Sequence, residues 1–487
     1  MRLNYLAYSF SLVLMYFSFV LLIPAIVALI YNETQTIIPF LISGLSALFI
    51  SLFFKIIIPK SSRITSINDI KKGEGLFVVT ISWILAGLFT SIPYLFFGLN
   101  PINAIFEGTS GITATGATIF THFDYPKALF FWRSFSQWLG GMGIIVLFIA
   151  VLPQFAIAGR QLFFAEAPGP TEDKITPRIK NTAASLWKIY FGMTILEIIL
   201  LKFNGMDLFD SICHSFSSVS GGGFSPNPES LIGNSNTILW IICFFMFFAG
   251  ASYNLQYRAW SKFNPLILFK NEEFRTYFFF TIIIALLLGF SLFLHSHYNF
   301  TESVTHGFFQ VSSVISSSGF CSVDFASWDY TSKALLLIAM LAGSCASSAG
   351  GGLKIVRWLL IIKIMKSELA KILHPKAVYN IKIGKYSVSK DILYQTLMFV
   401  AFYIAILVLS GLAIAVIEQN TTVGISSAVS ALGNIGPGLG QIIGPLGSYD
   451  SLSNVSKIII IIDMYIGRLE LIPFLVLFQK DLWSLKK

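Results

Sequence analysis

Four segments of the 487-residue chain share a pattern of residue types suited to holding an ion rather than to breaking bonds. They read NPINAIFEGTSGITATG at 100–116, DLFDSICHSFSSVSGGG at 207–223, SVTHGFFQVSSVISSSG at 303–319 and NTTVGISSAVSALGNIG at 420–436. Each opens on a residue suited to capping a helix N-terminus (Asn100, Asp207, Ser303, Asn420). Each ends on glycine: Gly116, Gly223, Gly319 and Gly436. The fifth position is small (Ala104, Ser211, Gly307, Gly424), the sixth large and apolar, and the eleventh always serine (Ser110, Ser217, Ser313, Ser430). The terminal residues are Ala114-Thr115-Gly116, Gly221-Gly222-Gly223, Ser317-Ser318-Gly319 and Asn434-Ile435-Gly436, none of them charged. A ring of backbone carbonyls can replace the hydration shell of a monovalent cation, and aiming carbonyls inward needs backbone that glycine adopts readily. The lack of carboxylates argues against a divalent-type ring of acids.

The elements that would carry these loops are apolar. A helix needs about 20 residues to cross a bilayer. Runs of that size or longer lie near 5–30, 37–58, 75–98, 127–152, 182–203, 235–258, 275–298, 333–365, 389–418 and 455–480. Each loop therefore sits between two spans, as a capped helix of some twelve residues, too short to cross, followed by a glycine-bearing strand. Backbone left unpaired at membrane depth survives only buried in protein or lining a watery cavity, so four repeated loops should meet on one axis. The predicted fold is an all-α polytopic membrane protein: an N-terminal hairpin (1–70) and four pseudo-symmetric pore repeats at 71–158, 159–264, 265–380 and 381–487.

Composition agrees. Hydrophobic residues make up 55% and charged residues only 12%, against about 25% charged in soluble domains. The net charge of +9 does not imply nucleic acid: 26 of the 33 Lys and Arg fall in segments that ten spans would place on one side, together with both termini. That bias marks the cytoplasmic side. The apolar run after Arg2 is too long for a signal sequence and reads as a first span. Cys213, Cys243, Cys321 and Cys345 lack metal-type spacing and read as small buried hydrophobes, and the six histidines show no ligand pattern. His214, in the second loop helix, reads as a satisfied packing residue. A polytopic enzyme would need acids, His or Cys clustered at one depth. A broken-helix transporter of an organic substrate would show two inverted halves rather than four like-oriented loops. Neither pattern is present. GPGLG at 436–440 lacks a strand–helix context for nucleotides, and no Walker sequence occurs.

Several stretches carry a family resemblance: TATGAT at 113–118, QWLGGMGIIVL at 137–147, GRQLFFAEAPGPTEDKITPRIKNTA at 159–183 and GGGFSPNPES at 221–230. To these add KNEEFRTYF at 270–278, AGSCASSAGGGLKIVRWLL at 342–360, HPKAV at 374–378, NIGPGLG at 434–440 and IGRLELI at 466–472. The chain resembles, over essentially its whole length, the membrane subunit of Trk potassium-uptake systems, of the TrkH/TrkG type within the Trk/Ktr/HKT superfamily. The resemblance implies a pseudo-fourfold, channel-like potassium transporter of the bacterial inner membrane, with the four loop glycines in its selectivity filter and K+ as the ion carried. In the plant branch, serine at the first filter position accompanies sodium transport; this chain has Gly116. It further implies a homodimer and a cytosolic TrkA-type RCK subunit binding NAD(H) and ATP. The basic segments 159–180 and 354–390 suit such docking, and anionic lipid contact equally. The second loop is richer in glycine than the pattern leads one to expect.

Two features suggest a gate. Residues 342–352 interrupt the long run 333–365 with small, helix-breaking types: Gly343, Ser344, Ser347, Ser348, Gly350, Gly351 and Gly352. A break below the filter is predicted; the family resemblance makes it an intramembrane loop that obstructs the pore and moves, while a close helix-packing patch is the alternative. Arg468 sits mid-span, where an unpaired charge costs from ~2.5 kcal/mol upward. It would face the pore as a barrier to cations, or pair with Glu470 or Asp463. Lys354 is a secondary candidate for the same barrier.

Overall fold

The computed structural model describes residues 3–58, 72–142, 179–377, 379–384, 386–477 and 479. Among these, the regular structure is helical apart from one β-hairpin of two-residue strands, β1 (Lys382–Ile383) and β2 (Tyr386–Ser387). The helices are α1 (Leu3–Leu21), α2 (Ile23–Ile30), α3 (Ile37–Ile57), α4 (Lys72–Phe96), α5 (Pro101–Ile112), α6 (Lys127–Gly141), α7 (Ile179–Phe203) and α8 (Leu208–Ser220). There follow α9 (Asn236–Ala249), α10 (Tyr253–Ser261), α11 (Leu266–Lys270), α12 (Glu272–His295), α13 (Phe300–Ile315), α14 (Tyr330–Ala342) and α15 (Ile355–Leu373). The last are α16 (Lys390–Ile417), α17 (Thr421–Gly433), α18 (Asn454–Arg468) and α19 (Ile472–Val476).

Six described stretches are long and apolar enough to cross a membrane, and α9 with α10 makes a seventh if that bent pair is one span. The other expected spans deviate for local reasons. The run 235–258 is not straight but turns by 102° at Gly250–Ser252. Gln256 donates to the carbonyls of Phe248 (2.7 Å) and Ala251 (3.1 Å), bracing the bend from the helix that follows it. The run 333–365 breaks between α14 and α15, as its composition predicts. The run 455–480 is a helix only to Arg468; Glu470 and Leu471, at φ of 55° and 60°, turn the chain before α19. Of 127–152, the part beyond Met142 lies outside the described residues.

The four short helices α5, α8, α13 and α17 each pack beside the span that precedes them. The small fifth position of the repeat is what allows this approach. A Cβ added at Gly307 would stand 2.9 Å from the carbonyl oxygen of Ala285 on α12, and Ala104 and Ser211 are fully buried at the equivalent contacts. Asn100, Asp207 and Asn420 cap their helices as predicted, accepting from Asn103, Phe209 and Val423. Ser303 does not cap: the third helix begins a turn earlier at Asn299, which forms a capping box with Glu302. That reciprocal pair satisfies two amide donors where Ser303 could satisfy one.

Candidate functional site: a ring of four loops

At the C-terminal end of each short helix the chain follows one conformation four times. The amide of the sixteenth repeat residue donates back to the eleventh-position carbonyl: Thr115 to Ser110 (2.9 Å), Gly222 to Ser217 (2.8 Å), Ser318 to Ser313 (2.8 Å) and Ile435 to Ser430 (2.9 Å). The serine column thus acts through its backbone; of its hydroxyls, that of Ser313 also reaches the carbonyl of Phe320 at 2.7 Å. The fifteenth residues Ala114, Gly221, Ser317 and Asn434 all have φ between 51° and 68°. The terminal glycines follow at 84°, 76°, 75° and 102°. Left-handed backbone disfavours any residue with a Cβ, so holding Ala114 and Ser317 there requires the surroundings to impose it.

The loops close on one another in order. A Cβ placed on Gly116 would overlap the carbonyl oxygen of Gly222; on Gly223, that of Ser318; on Gly319, that of Ile435. On Gly436 it would stand 2.7 Å from that of Thr115. Loop 1 therefore abuts loop 2, loop 2 abuts loop 3, loop 3 abuts loop 4, and loop 4 returns to loop 1. All four glycines line the floor of one cavity, which Pro437, Arg133 and Tyr449 also line. The twelve loop residues singled out in the sequence are brought together, and the glycines are required for contact as well as for φ.

The break between α14 and α15 lies directly beneath this ring. Gly343, with φ 71°, ends α14, and Ser347 and Gly352 also have positive φ. The Gly351 amide donates to the Ser317 hydroxyl at 2.8 Å, and a Cβ on Gly351 would overlap the carbonyl of Gly433. A Cβ on Gly350 would stand 2.7 Å from the carbonyl of Ser316. Below, the loop rests on the bend between α9 and α10: Cys345 donates to Gly250 (2.9 Å), Ala349 to Ala249 (3.2 Å), and Tyr253 to Ser347 (3.0 Å). Ser348 closes the loop internally through Ser344 (2.9 Å) and the Cys345 carbonyl (2.6 Å).

Two cations hold that loop. Arg468 donates to the carbonyls of Ala349 (2.8 Å), Gly141 (2.7 Å) and Gly140, bridging the loop to the end of α6. Lys354, at 6% exposure, donates to the carbonyl of Gly350 within the loop. Glu470, offered above as a partner for Arg468, is paired with Arg357. Lys354 was legible as a secondary candidate for the barrier beside Arg468; that its ammonium folds back into the loop depends on its φ of 66°, which no local signal announces.

Other functional contacts were not apparent in the sequence. Glu107 (0% exposed) and Arg133 (2%) form a buried pair at 2.9 Å. Glu107 also accepts from the Ile119 amide (2.9 Å), while Arg133 donates to the Ser225 carbonyl (3.1 Å) and Thr118 hydroxyl (3.0 Å). The pair staples the exits of loops 1 and 2 at the wall of the cavity, which Arg133 lines. His214 is buried with both ring nitrogens engaged, to the Asp210 carbonyl (2.8 Å) and Ser225 (3.2 Å), in keeping with a packing role. All four cysteines are buried thiols. Among the described residues no cluster of His, Cys, Asp or Glu could hold a metal ion.

A polytopic all-α membrane protein built from repeated re-entrant loops closed around one axis is the class these features define. The TrkH family model, described as a cation transport protein, matches residues 45–486. The potassium uptake protein TrkH of the Trk system of Escherichia coli K12 is 36% identical over 485 residues, covering 97% of this chain and 98% of its own. The TrkG protein of the same organism is 31% identical over 481 residues, 96% of each chain. The crystal structure of the potassium transporter TrkH from Vibrio parahaemolyticus superposes with a TM-score of 0.88 at 30% identity, over 99% of this chain and all of that one. The chain belongs to the TrkH family, which makes it a transport protein and not an enzyme.

Proposed function

We propose that this chain carries potassium into the cell along the axis of the four loops, down its electrochemical gradient. The observation that supports this best is the cyclic contact of each terminal glycine with the preceding carbonyl of the next loop, since a dehydrated cation needs backbone oxygens crowded around one line. Ala114–Gly116, Gly221–Gly223, Ser317–Gly319 and Asn434–Gly436 form the filter. The loop Gly343–Gly352 with Arg468 and Lys354 forms the gate beneath it, and repeats 71–158, 159–264, 265–380 and 381–487 each supply one filter strand. The relatives named above are potassium uptake proteins of the Trk system. On that footing the chain works in the inner membrane with both termini cytoplasmic, as a homodimer, under control of a cytosolic nucleotide-binding TrkA-type ring.

The test is growth of a potassium-uptake-deficient bacterial strain at low potassium, expressing this chain with its cognate cytosolic partner. Rescue by the wild type, with rescue lost or sodium uptake gained in Gly116→Ser at equal membrane abundance, is the expected result. A well-inserted wild type that fails to rescue removes the proposal.

A further inference from the structure

The second loop differs from the others at its sixteenth position. In loops 1, 3 and 4 that residue carries a side chain which ties the strand in place. Thr115 bonds Thr113 (2.7 Å) and Asn434 (2.9 Å), Ser318 bonds Ser316 (3.0 Å), and Ile435 is packed in a buried apolar cluster at 1% exposure. Loop 2 has Gly222 there, between two further glycines, so the strand lacks any side chain of its own and has the greatest backbone freedom of the four.

Gln137 on α6 stands where that side chain would be. A Cβ built on Gly222 would fall on the Gln137 side chain, 2.9 Å from its Cβ and closer still to its amide carbon. Gln137 is fully buried. Its Nε2 donates to the carbonyl of Gly222 at 2.7 Å, and its Oε1 accepts from the amide of Phe224 at 3.0 Å. Both ends of one side chain thus grip the strand on either side of Gly223, from a position 85 residues away in sequence.

We propose that Gln137 is the positioning residue of the second filter strand, supplying in trans the restraint that the repeat places on each other strand in cis, and that it thereby sets discrimination between potassium and sodium. This rests on the filter reading above. The glycine-rich Ser220-Gly221-Gly222-Gly223 is then not a looser filter. Gly222 is glycine because Gln137 occupies its side-chain volume. A strand released from Gln137 would let the Gly222 carbonyl follow a smaller ion inward, whereas a held carbonyl cannot.

The measurement is uptake of rubidium and of sodium by the full chain with its cytosolic partner in the uptake-deficient strain, normalised to membrane abundance. Gln137→Leu should raise the sodium-to-rubidium ratio about five- to tenfold, the factor carried by one or two lost hydrogen bonds. Gly116→Ser serves as the filter control. If the control shifts the ratio and Gln137→Leu does not, the inference is overturned and the filter reading stands; if neither shifts it, both fall. Should Gln137→Leu fail to insert, the steric complement decides. Gly222→Ala, whose φ is not in the left-handed region, should lose uptake, and Gly222→Ala with Gln137→Ser should regain flux but with a raised sodium-to-rubidium ratio, since serine frees the volume without restoring either hydrogen bond. A silent Gly222→Ala, a double variant that regains no flux, or one that regains flux at the wild-type ratio overturns the inference.

Discussion

Replacing Arg468 with alanine tests whether the loop below the ring is a held gate. In the structure the guanidinium links that loop to α6 through Ala349 on one side and Gly140 and Gly141 on the other. For the loop to swing away, the bond to Ala349 must break, whereas the Lys354–Gly350 bond lies within the loop and travels with it. A hydrogen bond to a charged group contributes about 1.5–3 kcal/mol. Removing it shifts the closed-to-open balance by about tenfold to a hundredfold, at ~1.4 kcal/mol per decade. Neutral backbone bonds to Ala249, Gly250 and Tyr253 remain in the variant, so the loop loosens without dissolving. Partner-free rubidium uptake into proteoliposomes should therefore rise at least about tenfold in Arg468→Ala. Arg468→Lys separates two causes, because lysine keeps the charge but not the fork that reaches both sides. Raised flux in both variants identifies the clamp. Wild-type flux in Arg468→Lys with raised flux in Arg468→Ala makes Arg468 a charge barrier only and refutes the clamp, and unchanged flux in Arg468→Ala refutes both.

Lys354→Met should raise partner-free flux in the same assay by less than Arg468→Ala, since its bond stiffens the loop without tying it to another element. Gly223→Ala should abolish uptake while the protein still inserts: the substitution adds about 1–2 kcal/mol of left-handed strain, and its Cβ overlaps the Ser318 carbonyl. Glu107→Gln leaves Arg133 buried without its counter-charge, at a cost of about 3–5 kcal/mol, and should appear as a large loss of thermal stability in detergent. Asp207 caps the second loop helix, and the amides of Phe209 and Leu208 hold its carboxyl below the usual range. Stability from such a lowered group is full above the ordinary aspartate range and is lost as pH falls through the lowered value. Asp207→Ala should thus melt lower than wild type near neutrality, with the gap closing on acidification.

The fourfold loop, its helix caps and the break in 333–365 were legible because each rests on local chemistry: side-chain acceptors before short helices, glycine at strained turns, runs of small residues that cannot sustain a helix. What the sequence hid depends on contacts across the fold. Ala114 and Ser317 are not residue types that choose positive φ, and only the closure of the ring puts them there. The turn at Gly250 interrupts a run that hydropathy reads as continuous, because the bend is stabilised by Gln256 and by the loop docking on it. Gln137 lies within the quoted stretch QWLGGMGIIVL, but its partner is 85 residues on. Ser303 was misread as a cap because the better box, Asn299 with Glu302, lies just upstream of the window that the repeat defined.

The ring and the loop beneath it are held by different kinds of interaction, and this bears on how one chain could be both selective and gated. The ring is closed by backbone against backbone at van der Waals contact, with glycine at each seam. Any widening must move two loops at once and strain φ values that are already left-handed. The loop at Gly343–Gly352 packs Gly350 and Gly351 against the carbonyls of Ser316 and Gly433 and is held there by polar bonds to Ser317, Arg468 and the α9–α10 bend, so it can lift as one segment without opening a seam of the ring. A single segment that leaves by breaking a few polar bonds opens at lower free energy than a closed ring of packed loops. On the proposed reading, a cytosolic partner pulling on α15 would release the loop well before it could distort the filter. Access and selectivity would then be set by separate parts, and variants of Arg468 should change flux without changing the sodium-to-rubidium ratio.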